Sequence, residues 1–202
     1  MRTISWKAAA MVCLAAAVPS CSAQSSASPL DPSLIVSNAE QELRDIGAIE
    51  IAESIADGEV SDDDYYAAAR TYKSCMSQAG VELQGPQLSP VDNISLQWGY
   101  PESVSNQSGL EEETEKCHAA WRPMILAYQA THKASMEIAL RDAVVSCLDE
   151  LGYEVSSDAT NIRELVGPIE SAQDNRLRDT EGCVVSQMDK LFPDAFGITF
   201  IY

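Results

Sequence analysis

The sequence is poor in positive charge. Only 13 Lys and Arg stand against 31 Asp and Glu in 202 residues, a formal charge of -18. That shortage excludes the phosphate-neutralising surface of a nucleic-acid binder and electrostatic adhesion to anionic lipid headgroups. What remains is a soluble, self-repelling surface that tolerates cations or basic partners. No run of eighteen apolar residues occurs, so no membrane-spanning helix is expected. No C-x-x-C pair is present, which argues against a zinc ribbon and a thioredoxin-type redox motif. G-x-S-x-G, P-loop and Rossmann glycine patterns are missing as well.

Histidine is equally scarce, with two residues. Glu115-Lys116-Cys117-His118 contains the E-x-x-H spacing that supplies metal ligands in ferritin-like bundles. His132, however, has Gln129 at the matching place, and about 21 Å of helix would separate the two histidines. The acidic stretch DGEVSDDD does not fit a calcium loop. Carboxylate pairs such as Asp149-Glu150 are too common to single out and read as solvated faces. No catalytic residue, metal or cofactor is therefore expected.

What is present begins at the N-terminus. MRTISWK carries two basic residues, AAAMVCLAAAV is an apolar run of 11, and PSCSA brings small residues. This is the order of a secretory signal. Val18-Pro19-Ser20-Cys21 resembles a bacterial lipobox, whose Cys is diacylated, although Pro19 departs from the usual small residue. The expectation is a lipoprotein signal peptide over 1–20, a lipid on Cys21, and a flexible Ser/Ala/Pro tether over 21–33. Cleavage after Ala23 is the rival reading. Two acyl chains anchor stably where one does not, since each buried methylene contributes about 0.8 kcal/mol.

Six cysteines less Cys13 and Cys21 leave Cys75, Cys117, Cys147 and Cys183. An even number in an exported chain reads as two disulfides.

Residues 34–202 are expected to form one mainly α domain. Leu43, Ile46, Ile49 or Ala52, and Ile55 have helical spacing over 34–56, with Gly47 as a weak point. Ser61 followed by three Asp is a strong helix start. Tyr65, Ala68, Tyr72, Met76 and Ala79 form an apolar stripe from there, and Gly80 is placed to end it. Residues 81–109 contain Pro86, Pro90, Gly99 and Pro101 and read as a long irregular loop. Its Trp98 and Tyr100, with Trp121 nearby, either fold back as a lid or line a binding groove. Residues 110–152 read as helix nearly throughout, kinked or divided at Pro123. A short helix follows, then a last helix over 169–191 bearing Cys183. The tail FGITFIY is compatible with a short strand or an apolar strap.

The chain also repeats itself. SCMSQAGVEL at 74–83 is echoed by SCLDELGYEV at 146–155, and Thr114-Glu115-Lys116-Cys117 by Thr180-Glu181-Gly182-Cys183. The repeats span 61–122 and 135–191, each a helical hairpin of helix, Cys, Gly stop, loop, Thr-Glu-x-Cys and helix. If 117–147 is mostly helical, Cys117 and Cys147 lie up to about 45 Å apart, beyond the roughly 7 Å a disulfide permits. Pairing within repeats, Cys75 with Cys117 and Cys147 with Cys183, is favoured; Cys75 with Cys147 and Cys117 with Cys183 stays open if the repeats pack face to face.

Helix-Cys-x4-Gly, a Pro-rich loop and a second Cys-bearing helix, all behind a lipobox, resemble small secreted lipoproteins of high-GC Gram-positive (actinobacterial) bacteria. The resemblance implies location and architecture, not an activity. The expected function is a non-enzymatic lipoprotein on the outer face of the cytoplasmic membrane, held through Cys21, that binds or scaffolds an envelope or cell-wall partner. The alternative is a small-ligand or cell-wall glycan binder using Trp98, Tyr100 and Trp121. An enzyme ranks third.

Overall fold

A computed structural model of the chain describes residues 31–101, 110–168, 175–198 and 200. The expected signal peptide, Cys21, most of the tether, 102–109 of the loop and 169–174 of the last expected helix lie outside the described residues. The described chain is mainly helical, with a two-stranded sheet.

The first helix, α1 (Pro32–Asp45), takes in the last two residues of the expected tether. Asp31 caps it by accepting from the Ser33 N–H, and Pro32 occupies the first turn, where a missing N–H costs nothing. Val36, Ala39 and Leu43 form its buried face. Gly47, at φ 81°, ends it: the Ala48 N–H donates to the Leu43 carbonyl at 2.8 Å and the Gly47 N–H to Arg44 at 3.0 Å. The helix expected over 34–56 is therefore two, with α2 (Ile49–Ser54) after the glycine.

Ser61 starts α3 (Asp62–Gln78) as expected, through a reciprocal capping box with Asp64 and three Asp in the first turn. Its buried face carries Tyr65, Ala68, Ala69, Tyr72 and Met76. Its end explains half of the repeated phrase. The Val81 N–H donates to Met76 O (2.8 Å) and the Gly80 N–H to Ser77 O (3.0 Å), with Gly80 at φ 86°. This is a Schellman stop, which needs the left-handed conformation that glycine adopts without steric cost.

Residues 84–99 correct the expectation of an irregular loop. They form an antiparallel hairpin, β1 (Gln84–Leu88) and β2 (Leu96–Gly99), pairing Gln84 with Gly99, Gln87 with Gln97 and Leu88 with Leu96. An irregularity between Gln84 and Gln87 accommodates Gly85 and Pro86. In the connecting turn Asp92 Oδ1 accepts from the Ile94 and Ser95 N–H groups, and Asn93 takes φ 54°.

Helix α4 (Leu110–Thr131) continues through Pro123, so the chain is not divided at the proline, and the division falls at 132–137. There the backbone exchanges helical bonds for long-range ones. Ser135 N–H donates to Asp92 O, Met136 N–H to Thr160 O and Glu137 N–H to Pro90 O. Glu137 then caps α5 (Ile138–Glu150) by accepting from the Ala139 and Leu140 N–H groups.

The second phrase ends α5 as the first ended α3: Tyr153 N–H donates to Leu148 O (3.0 Å), Gly152 N–H to Asp149 O (2.9 Å), and Gly152 has φ 85°. Short α6 (Ile162–Val166) and then α7 (Arg176–Leu191) complete the second repeat. Disulfides join Cys75 to Cys117 and Cys147 to Cys183, with Cα atoms 5.6 and 5.9 Å apart, so each repeat is stapled internally.

Two hydrophobic cores result. One gathers α1–α4 and the hairpin; the other gathers α5, α6, α7 and the chain after them, with Val91 reaching in from the hairpin turn. The described residues of the tail, 196–198 and 200, are irregular and form no strand, which leaves the strap alternative. Ile198 and Phe200 pack on the second core, while the Phe196 ring lies on the hairpin: a methyl group at Gly99 would come within 2.7 Å of it, and one at Gly85 within 2.9 Å.

Candidate functional site

The antiparallel run of α3 against α4 aligns their aromatic residues in a ladder. His132 stacks on Tyr128 (3.8 Å between ring centres), Tyr128 on Tyr65 (4.0 Å), Tyr65 on Trp121 (5.0 Å) and Trp121 on Tyr72 (5.7 Å). Seven-residue spacing, 65 to 72 on one helix and 121 to 128 on the other, brings these rings to one face of each. His118 tilts against the far end of the stack, 5.2 Å from Tyr72. The two histidines of the chain thus stand at opposite ends of one aromatic column.

Strand β2 closes the Tyr72 end. Trp98 meets Tyr72 edge-on at 5.5 Å and Trp121 at 6.5 Å. The sequence posed a lid or a binding groove as alternatives for these residues; the hairpin folds back on the helices, and Trp98 and Tyr100 line a cleft with them. Trp98 and Trp121 are only 8% and 4% exposed, whereas Tyr100 is 51% exposed at the rim. Between hairpin, helices and tail lies a cleft of about 470 Å³, within the usual size for small-ligand sites. Tyr72, His118, Trp121 and Arg122 line it from the helices, Leu96 to Trp98 and Tyr100 from the hairpin, and Phe196 to Ile198 from the tail. All three aromatic residues singled out from the sequence meet here.

The polar groups are of two kinds. Some are already committed. The Tyr72 hydroxyl lies 3.0 Å from that of Tyr100 and 3.5 Å from His118 Nε2. Burial, and then the Tyr100 hydroxyl, push the Tyr72 phenol above its ordinary pKa, so it stays protonated. Burial first, and the Arg122 guanidinium second, lower the pKa of His118 below its usual 6.5, with Glu115 opposing. Arg122 donates to both carboxylate oxygens of Glu115, at 2.6 and 3.0 Å, so the Glu of the E-x-x-H pattern holds an arginine. Among the described residues no group of three His, Cys, Asp or Glu side chains is placed to hold a metal ion.

Others are uncommitted. Gln97 is 7% exposed, yet neither its amide oxygen nor its amide nitrogen has a partner among the described residues; the same holds for the Trp98 indole N–H. A buried unsatisfied polar group costs about 1–3 kcal/mol, and native folds retain few of them. Gln97 and Trp98 both line the cleft, from opposite faces of the strand, and their three enclosed atoms are a concentrated cost that a ligand reaching them would relieve. The sequence did not point to Gln97. In Leu96-Gln97-Trp98 a strand with one wet face would turn the Gln outward, and only the burial of both faces of β2 leaves it enclosed.

Compared with protein-family models, with curated proteins and with solved structures, the chain matches none. The chemistry of the cleft therefore carries the functional argument by itself.

Proposed function

We propose that the protein is a non-enzymatic extracytoplasmic binding module that takes a small polar ligand into the cleft between the hairpin and α3–α4. The observation that carries this reading is the trio of buried, unpartnered polar atoms on Gln97 and Trp98 beside stacked aromatic walls. Two disulfides suit an oxidising compartment, and no described helix is long and apolar enough to cross a membrane. A lipid on Cys21 would then hold the module at the outer face of the cytoplasmic membrane. His118 faces a phenol rather than a carboxylate, and the four cysteines of the domain are oxidised, which is the chemistry of holding rather than turnover.

Trp98 and Trp121 report on the cleft directly. Titration of tryptophan emission with soluble, uncharged N-acetylated cell-wall glycan fragments should give a saturable shift that Trp98→Phe diminishes. A flat response to these fragments, together with an envelope protein cross-linked to another face in intact cells, would move the function to scaffolding. For the anchor, Cys21→Ala should release the protein into the medium, and continued membrane retention would refute lipidation.

A further inference from the structure

We infer that the cleft selects an uncharged ligand presenting a carboxamide or lactam edge, and that Gln97 is the residue that reads this edge. This rests on the binding-module reading above and gives its ligand a chemical class.

The argument starts from what satisfies a free glutamine amide. Its oxygen only accepts and its nitrogen only donates. Both are unpartnered among the described residues, so a ligand must offer an N–H and a C=O side by side. A carboxylate or ketone would answer the nitrogen and leave the oxygen orphaned; an amine would do the reverse. A primary carboxamide or a lactam answers both in one plane. The Trp98 indole N–H, also unpartnered, lies on the other face of the strand and serves as a reporter of the cleft.

Charge points the same way. Among the described residues lining the cleft, Arg122 is the one permanent cation, and Glu115 holds it through two hydrogen bonds. His118 is biased towards its neutral form by burial and by that arginine. The chain as a whole carries -18. An anion would find no free cation there and a repulsive field around it. The lining is aromatic as well: Tyr72 and Trp121 stack on each other, 5.7 Å between ring centres, with the edge of Trp98 beside them, so a ligand meets ring edges and faces there. Sites built around buried hydrogen-bonding groups discriminate strongly against analogues that leave those groups unpaired.

Benzamide, benzoate and acetophenone share one ring and differ only at the edge to be read. The full chain, labelled with ¹⁵N, can be titrated with each while the Trp98 indole N–H resonance is followed. Benzamide should bind at least tenfold more tightly than the other two, and Gln97→Leu should bring it down to the level of acetophenone. Gln97→Glu, which keeps the shape but loses the donor, supplies the same comparison if the leucine variant folds poorly. Binding that favours benzoate or acetophenone, or a benzamide preference that survives both substitutions, overturns the carboxamide class while leaving the cleft a binding site. No response of the Trp98 resonance to any of the three overturns the inference, and if Gln97→Leu also lowers the melting temperature the binding reading falls with it.

Discussion

At the scale of single residues, the two repeated glycines have a defined cost of replacement. Nothing lies within 4 Å of a methyl group built on Gly80 or Gly152, so the penalty is backbone strain alone. Gly80→Ala and Gly152→Ala should each destabilise by about 1–2 kcal/mol, the cost of a left-handed L-residue, read from urea unfolding. Gly99→Ala differs in kind: its methyl would meet the Phe196 ring, and it should lift the tail from the hairpin and raise amide exchange at 195–198. His118 gives a pH signature. Because its folded pKa lies below 6.5, the unfolded chain takes the proton first as pH falls. Its contribution therefore weakens stability as pH drops through 6.5 and levels off below the folded value. NMR titration of the His118 ring should show the depressed pKa, and an ordinary value would contradict the burial described. Glu164 behaves oppositely. Its carboxylate accepts from the Thr160 N–H and hydroxyl and is held down to about 2, so its contribution is present above 4.5 and lost as pH falls from there towards 2.

At the scale of elements, the helix stops and staples were legible because each rests on local chemistry. Ser61 before three Asp, Gly80 and Gly152 after their stripes, and the Cys spacing all act within a few residues or exclude one another by length. The elements misread are those fixed from a distance. The break between α4 and α5 falls at 132–137 because the Pro90, Asp92 and Thr160 carbonyls accept N–H groups there, and no local pattern announces that exchange. The hairpin was hidden by Gly85 and Pro86, which usually weaken a strand assignment and here occupy the irregular step in its register. Separate staples predict separate failures. Replacing Cys147 and Cys183 with Ser should cost up to about 4 kcal/mol on the chain-entropy model. Hydrogen exchange should then rise across α5 and α7 while α3 and α4 stay protected, because the two cores share few residues. Equal loss of protection in both repeats would show that the cores unfold together.

At the scale of the whole molecule, one motif written twice has diverged around a single cleft. Both repeats keep the helix, the Schellman stop and the staple. Only the first presents the Tyr72–Trp121 walls and the hairpin, while the second reaches back with Phe196 to Ile198 to line the same space. The aromatic residues of the site could be named from the sequence because large rings in this acidic chain are few and conspicuous. Gln97 could not, since its importance comes from being buried without partners, a property of the assembled walls and not of any spacing. The central claim is that this glutamine is left unsatisfied for a ligand. The melting temperature of Gln97→Leu measures that most directly. Leucine is close in volume and removes both orphaned atoms, so the unliganded protein should gain about 1–3 kcal/mol, a rise of roughly 2–4 °C for each kcal/mol in a chain of this length. A lower melting temperature than the wild type would mean that Gln97 already has its partners, and would contradict the account.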